Sequence, residues 1–225
     1  MFELPDGRIC LPRPSTVPRT VAKGRREHFT GQLNFGPDEG TCMDIESYTE
    51  FQVVLTLLAR PEVAHVENQV PFGYVNADGK PAKHFFDFRA TLIDGSRHAI
   101  MVKSDFRFRS PKVSQELRLV ASQVKADFAD RVVVMTENNV SAAEFYNAEM
   151  MHEMRWPDPA VDSAALRVIQ PIAGAVRISD LVEAIGHGGQ GFRAVVRLIR
   201  NRRLSIPTGV KISLDAIVTR SKQDA

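Results

Sequence analysis

The chain has 225 residues, of which 44% are hydrophobic and 25% charged, enough for a buried core and ordinary for a soluble globular protein. No stretch approaches the apolar length of a membrane span, and the early acids of the N-terminus argue against a secretory signal. The two cysteines, Cys10 and Cys42, stand far apart, which argues against a disulfide framework or a cysteine zinc site and makes a reducing cytoplasm the expected compartment. The net charge of +2 hides an asymmetry. Residues 1–40 carry six basic and five acidic side chains, residues 41–154 twelve and sixteen, and residues 155–225 eleven and six. An acidic middle followed by a basic tail predicts two modules, the second suited to nucleic acid.

Residues 1–40 are proline-rich at the start and lack periodicity, so they read as an irregular arm. Lys23, Arg25 and Arg26 form a short basic patch there, either a solvated loop or a phosphate contact. Phe51, Val54, Leu55 and Leu58 recur at helical spacing, and Arg60-Pro61 ends that helix. Residues 63–75 are rich in Val, Phe and Tyr and predict one or two strands. Asn76–Pro81 is a turn. HFFDFRATLI (84–93) and RHAIMVK (97–103) flank Asp94-Gly95-Ser96 and predict a hairpin. Leu117, Val120, Ala121, Val124 and Phe128 mark a helix, and RVVVMT (131–136) reads as a buried strand. Ser141 and Glu144 form a capping box for a helix to about Met154. The prolines of Arg155-Trp156-Pro157-Asp158-Pro159 predict the domain junction, between Arg155 and Asp162, giving modules at 41–154 and 160–225. Three helical patterns follow, then VKISLDAIV as a β-like segment, an order that suits a winged helix.

Glu50, Gln69, Asp87 and Lys103 occur in that order on the first helix, the next strand region and the hairpin. Divalent-metal nucleases need such a set. Carboxylates hold magnesium, the metal polarises phosphate and activates water, and a lysine stabilises developing charge. A three-residue hairpin loop, Asp94–Ser96, sets Asp87 opposite Lys103 on one face. A two-residue loop sets it opposite Val102 and puts Lys103 on the other face. The bland readings stand beside these. Ser47 and Glu50 also make a capping box, Asp87 suits an ion pair with Arg89 or Lys83, and Lys103 suits an exposed strand end.

SYTEFQVVLTLLARPEVAHVENQVPF, HFFDF, AIMVKS and RVVVMTENNVS together resemble the TnsA-type transposon endonuclease family, members of the PD-(D/E)xK, restriction-endonuclease-like nucleases. The resemblance spans roughly residues 25–145. It implies an α/β fold with a restriction-endonuclease-like mixed sheet flanked by helices, followed by a small winged-helix-like domain. It further implies a magnesium- (or manganese-) dependent DNA endonuclease that cuts double-stranded transposon ends beside a transposase subunit and an ATPase regulator. The family's catalytic acid falls on Glu50, its aspartate on Asp87 and its lysine on Lys103, with Gln69 at a recurrent glutamine. The implied metal ligands are Glu50, Asp87 and the Val102 carbonyl, and Glu116 is a further candidate. The family's (E/Q)-x-K element reads Met101-Val102-Lys103 here, and a thioether does not ligate magnesium. The alternative is therefore a nuclease-fold subunit that binds DNA or assembles with partners without cutting.

Two features remain. Gly186–Gly191 is glycine-rich but follows no strand and lacks the phosphate-loop lysine, so it reads as a turn between helices. Arg193, Arg197 and Arg200 lie at i, i+4 and i+7, opposite Phe192, Val195, Val196 and Ile199, with Arg202 and Arg203 after them. Such a stripe suits DNA phosphates, an acidic protein partner or a solvated face.

Overall fold

The computed structural model describes residues 2–3, 7, 9–15, 17, 29–36 and 40–221. The basic patch Lys23, Arg25 and Arg26 lies outside the described residues. The chain divides into two compact units, Met1–Leu57 with Glu62–Asn139, and Leu58–Pro61 with Val140–Ala225.

In the first unit, β1 (Phe2–Glu3) pairs with β2 (Ile9–Cys10), and β3 (Gly31–Phe35) pairs with β4 (Thr41–Ile45), both antiparallel. The stretch read as an irregular arm thus contains strands, the last of which, β3, forms a hairpin with β4. Leu33, Met43 and Ile45 are buried along it, and Gly36 and Gly40 take positive φ at its turn. The apolar positions of β3 are too few to announce a strand, and it exists because β4 pairs with it. Helix α1 (Tyr48–Ala59) buries Val53, Val54, Leu55 and Leu57. Then β5 (Val63–Val75), β6 (Pro81–Leu92), β7 (Arg97–Val102) and β8 (Arg131–Met135) form a four-stranded sheet in that order. The first two neighbours are antiparallel, and β8 runs parallel to β7. The short α2 (Asp105–Phe108) and α3 (Pro111–Ala121) fill the crossover a parallel pair requires. Leu117 and Val120 of α3 pack with Val70, Phe86, Ala99 and Met101 from three strands.

The β6–β7 hairpin takes neither anticipated register. Thr91 pairs with Arg97 and Phe88 with Ile100. Its loop is three residues long, but they are Ile93, Asp94 and Gly95. Leu92 N–H donates to Ser96 O at 2.8 Å, and Gly95 N–H to Leu92 O at 3.0 Å. In such loops the left-handed residue comes last, and that residue is Gly95, at φ +85°. Asp94 Oδ1 holds the turn by accepting from Ser96 N–H and Oγ–H. Extended along the strands, this register sets Asp87 level with Met101, two residues from the expected Lys103.

The second unit begins earlier than the prolines suggest. A 3-10 turn at Glu137–Asn139 precedes the division, and α4 (Ala142–Glu153), capped by Ser141 and Glu144, belongs to the C-terminal core. Met150, Met151 and Met154 pack against that core. Asn147 Nδ2 donates to Val210 O, and Asn147 Oδ1 accepts from Ile212 N–H, both at 2.8 Å. The prolines do end a helix, with Asp158 capping α5 (Pro159–Ile169). A helix break is not a core boundary when the residues on both sides bury their apolar faces together. After α5 come β9 (Ala175–Arg177), α6 (Ile178–Ile185), α7 (Gly189–Arg200), β10 (Leu204–Ser205) and β11 (Ile217–Arg220). The strands form an antiparallel sheet in the order β10-β11-β9. The α6–α7 turn is tight: a Cβ on Gly191 would stand 2.5 Å from Gly186 O, so only glycine fits. Among the described residues no helix is long and apolar enough to cross a membrane.

Candidate functional site

The site is built on the point where the β6–β7 ladder stops. The Cα pairing ends at Phe88–Ile100. Beyond it, Asp87 Oδ2 accepts the Val102 N–H at 2.7 Å, so a side chain replaces a ladder acceptor. Lys103 Nζ donates to Val102 O at 2.8 Å and lies 3.6 Å from the same Asp87 oxygen. The two polar ends of one residue, Val102, are therefore held by the two side chains singled out for chemistry. Asp87 is buried, 7% exposed, and Lys103 is about one-quarter exposed at its side chain, so the group opens to solvent on the lysine side.

Glu50 joins from α1. Ser47 Oγ accepts the Glu50 N–H and donates to Glu50 Oε1, both at 3.1 Å, while Oε2 accepts the Glu46 N–H at 2.9 Å. The capping reading is thus realised, with Ser47 and Glu50 bonded reciprocally at the helix start. Burial and the nearby Asp87 charge, in that order, raise the Glu50 pKa to about 7. Both carboxylates are buried, Glu50 at 6% and Asp87 at 7% exposed, and Lys103 Nζ is a cation 3.6 Å from Asp87.

Gln69 is fully buried and sits in β5 with a left-handed backbone, φ +48°. The β5–β6 ladder pairs Asn68 with Phe88 and Val70 with Phe86, skipping Gln69 and Asp87. The irregularity on β5 therefore faces the one that frees Asp87. Glu116 is exposed on α3 and is felt electrostatically by His84, as are Asp87 and Lys103. His84 is the residue that sequence reasoning passed over. Its ring packs edge-on to Phe86 and Tyr74, its Nε2 is buried without a hydrogen-bond partner, and burial holds its pKa below the usual value. Its position three residues before Asp87 was the available signal. Met101 is wholly buried in the apolar cluster with Phe86, Val70, Leu117 and Val120. Among the described residues no three His, Cys, Asp or Glu side chains converge as a metal-ligand group.

The arginine stripe is broken. Arg193 and Arg200 are exposed on α7, but Arg197 is 6% exposed. Its guanidinium pairs with Asp162 of α5 at 2.6 Å and reaches the Met154 carbonyl. The position read as a DNA contact is a structural ion pair, because α5 covers that side of α7. Arg202 and Arg203 are exposed beyond the helix end, with Arg202 at φ +59°.

No protein-family model matches the chain, and no curated protein matches it.

Proposed function

We infer that the first unit is a divalent-metal-dependent DNA endonuclease of the restriction-endonuclease-like kind, acting on double-stranded transposon-type ends, and that the second is a winged-helix-like DNA-binding unit. The observation that carries this reading is the Val102 backbone held at its N–H by Asp87 and at its carbonyl by Lys103, with Glu50 electrostatically coupled to Asp87. The donor set is hard oxygen, suited to magnesium or manganese. Glu50, Asp87 and the Val102 carbonyl would hold the ion, since Asp87 Oδ1 accepts no hydrogen bond among the described residues and the carbonyl oxygen has a second lone pair beside the one that Lys103 Nζ takes. When bound, such an ion polarises a phosphodiester and lowers the pKa of a water. The ammonium of Lys103, tethered on one side by Val102 O, has further N–H donors to offer a phosphate oxygen or an attacking water. The helix, strand, helix, helix, strand, strand order from α5 to β11 supports the winged-helix reading, and the exposed Arg193, Arg200, Arg202 and Arg203 support nucleic acid as ligand. A transposase subunit, an ATPase regulator and a cytoplasmic setting belong to the same proposal.

Met101 favours the second reading, a nuclease-fold subunit that binds DNA or assembles without cutting, because the position of the family's third ligand is apolar and buried. Supercoiled-plasmid nicking with magnesium or manganese decides between them, run with wild type, Asp87→Ala and Lys103→Ala. Cleavage by wild type alone supports the endonuclease. An inert wild type that binds no manganese in calorimetry leaves the assembly subunit.

A further inference from the structure

The second unit contains a basic cavity that the recognition-helix reading does not use. Its volume is about 260 Å³, and it lies between the C-terminal half of α5 and the β10–β11 hairpin. Arg167 comes from the helix, and Arg203 and Arg220 come from the hairpin side. Leu166 and Ile169 supply an apolar floor. Among the described residues no acidic side chain lines it, and the guanidinium groups of Arg167 and Arg203 have no ion-pair or hydrogen-bond partner. Three cations gathered around one concavity repel one another, and the arrangement is relieved by an anion.

The walls are fixed by the fold. Leu204 pairs with Arg220, and Ser221 N–H donates to Arg203 O at 3.0 Å, so Arg203, just before β10, is held beside Arg220 of β11. Ser205 and Ser221 hydroxyls are hydrogen-bonded at 2.8 Å. Arg220 Nη1 donates to Gln170 O at the end of α5, tying the hairpin to the helix. The left-handed Arg202 turns the chain from α7 into β10, with its N–H on Ile199 O and that of Arg203 on Leu198 O.

We propose that Arg167, Arg203 and Arg220 form a phosphate-binding pocket that takes a phosphodiester of duplex DNA. Guanidinium forks match the several oxygens of a phosphate, whereas one carboxylate occupies a single fork. The cavity exceeds one phosphate group, and its apolar floor suits the sugar beside it. The identity of the ligand rests on the DNA-binding reading of this unit and is independent of the metal site.

The test uses the full chain, a 20-base-pair duplex of arbitrary sequence, inorganic pyrophosphate and a poly-glutamate peptide, with affinity measured from about 0.05 to 0.3 M salt. Each phosphate neutralised contributes roughly −0.9 to the slope of log K against log salt. Arg167→Glu, on an exposed helix face, should weaken duplex binding about tenfold at 0.1 M salt and lower the slope by roughly one to two. Arg203→Ala should act in the same direction, and thermal melting confirms that each variant is folded. Lys80→Ala, in the exposed turn before β6, should bind duplex as wild type does. Binding of pyrophosphate through these arginines, with no duplex binding by the full chain, overturns the DNA ligand and with it the DNA-binding reading. A folded Arg167→Glu with unchanged affinity and slope overturns the pocket while leaving the DNA-binding reading intact. Poly-glutamate binding that matches duplex and is lost in the same variants also overturns it.

Discussion

Asp87 and Val102 are joined side chain to backbone across the point where two strands separate: Oδ2 of one accepts the N–H of the other at 2.7 Å. This bond gives Asp87 a structural role, which substitution separates from the catalytic role proposed above. Asp87→Asn keeps an oxygen acceptor for the Val102 N–H and should leave stability nearly unchanged. Asp87→Ala strands a buried donor and should cost about 1–3 kcal/mol. Both should abolish metal-dependent nicking, since neither keeps the carboxylate. Denaturant melts beside plasmid assays check this. Full cleavage by Asp87→Asn would place the active site elsewhere.

Glu50 predicts a pH dependence of folding. Its folded-state pKa, about 7, lies above its ordinary 4.5, so between these values the folded chain binds the proton more tightly than the unfolded chain. The contribution of this group is therefore fullest below about pH 4.5 and is lost as pH rises to about 7, by at most about 3 kcal/mol. Glu50→Gln should remove that slope and raise the melting midpoint at pH 8 more than at pH 5. Manganese should also flatten it in wild type. A wild-type profile without this slope would mean that Glu50 is better solvated than its burial implies.

Met101 tests the departure from the family pattern. Met101→Leu nearly conserves volume and should cost under about 1.5 kcal/mol. Met101→Glu places a carboxylate among Phe86, Val70 and Leu117, and should cost about 3 kcal/mol or more in metal-free buffer. Under the endonuclease reading, millimolar manganese raises the melting midpoint of Met101→Glu by more than that of wild type. Equal shifts would show that this side chain does not reach the ion.

Arg197 and Arg193 should part company. Arg197→Ala breaks a buried pair with Asp162 and should destabilise by about 3 kcal/mol. Arg193→Ala, on an exposed face, should stay within about 0.5 kcal/mol. Thermal melts of the two variants decide it, and an Arg197→Ala as stable as wild type would return that residue to the surface.

Local pattern was enough to read α1, the sheet strands from Val63 to Met135, the capping of α4 and the turn at Gly186–Gly188, though that turn was carried on to Gly191, inside α7. Each of these is governed by apolar periodicity, a cap or a glycine. The order Glu50, Asp87, Lys103 was legible for the same reason, since each sits at a recognisable place on a helix or hairpin. The hairpin register was misread: both anticipated loops began at Asp94, whereas Gly95 at the left-handed last position starts the three-residue loop at Ile93. Tertiary structure decided the rest. Whether a helix beyond two prolines starts a new unit depends on which core takes Met150 and Asn147, and periodicity does not carry that information. Whether an arginine on a polar stripe meets solvent or Asp162 depends on where a helix 35 residues away in sequence is packed. The β3–β4 hairpin, the place of His84 beside Asp87, and the meeting of Arg167 with Arg203 and Arg220 have the same origin. Side-chain type sets what a residue can do, but burial and partners come from chain segments distant in sequence, and those alone fix what it does.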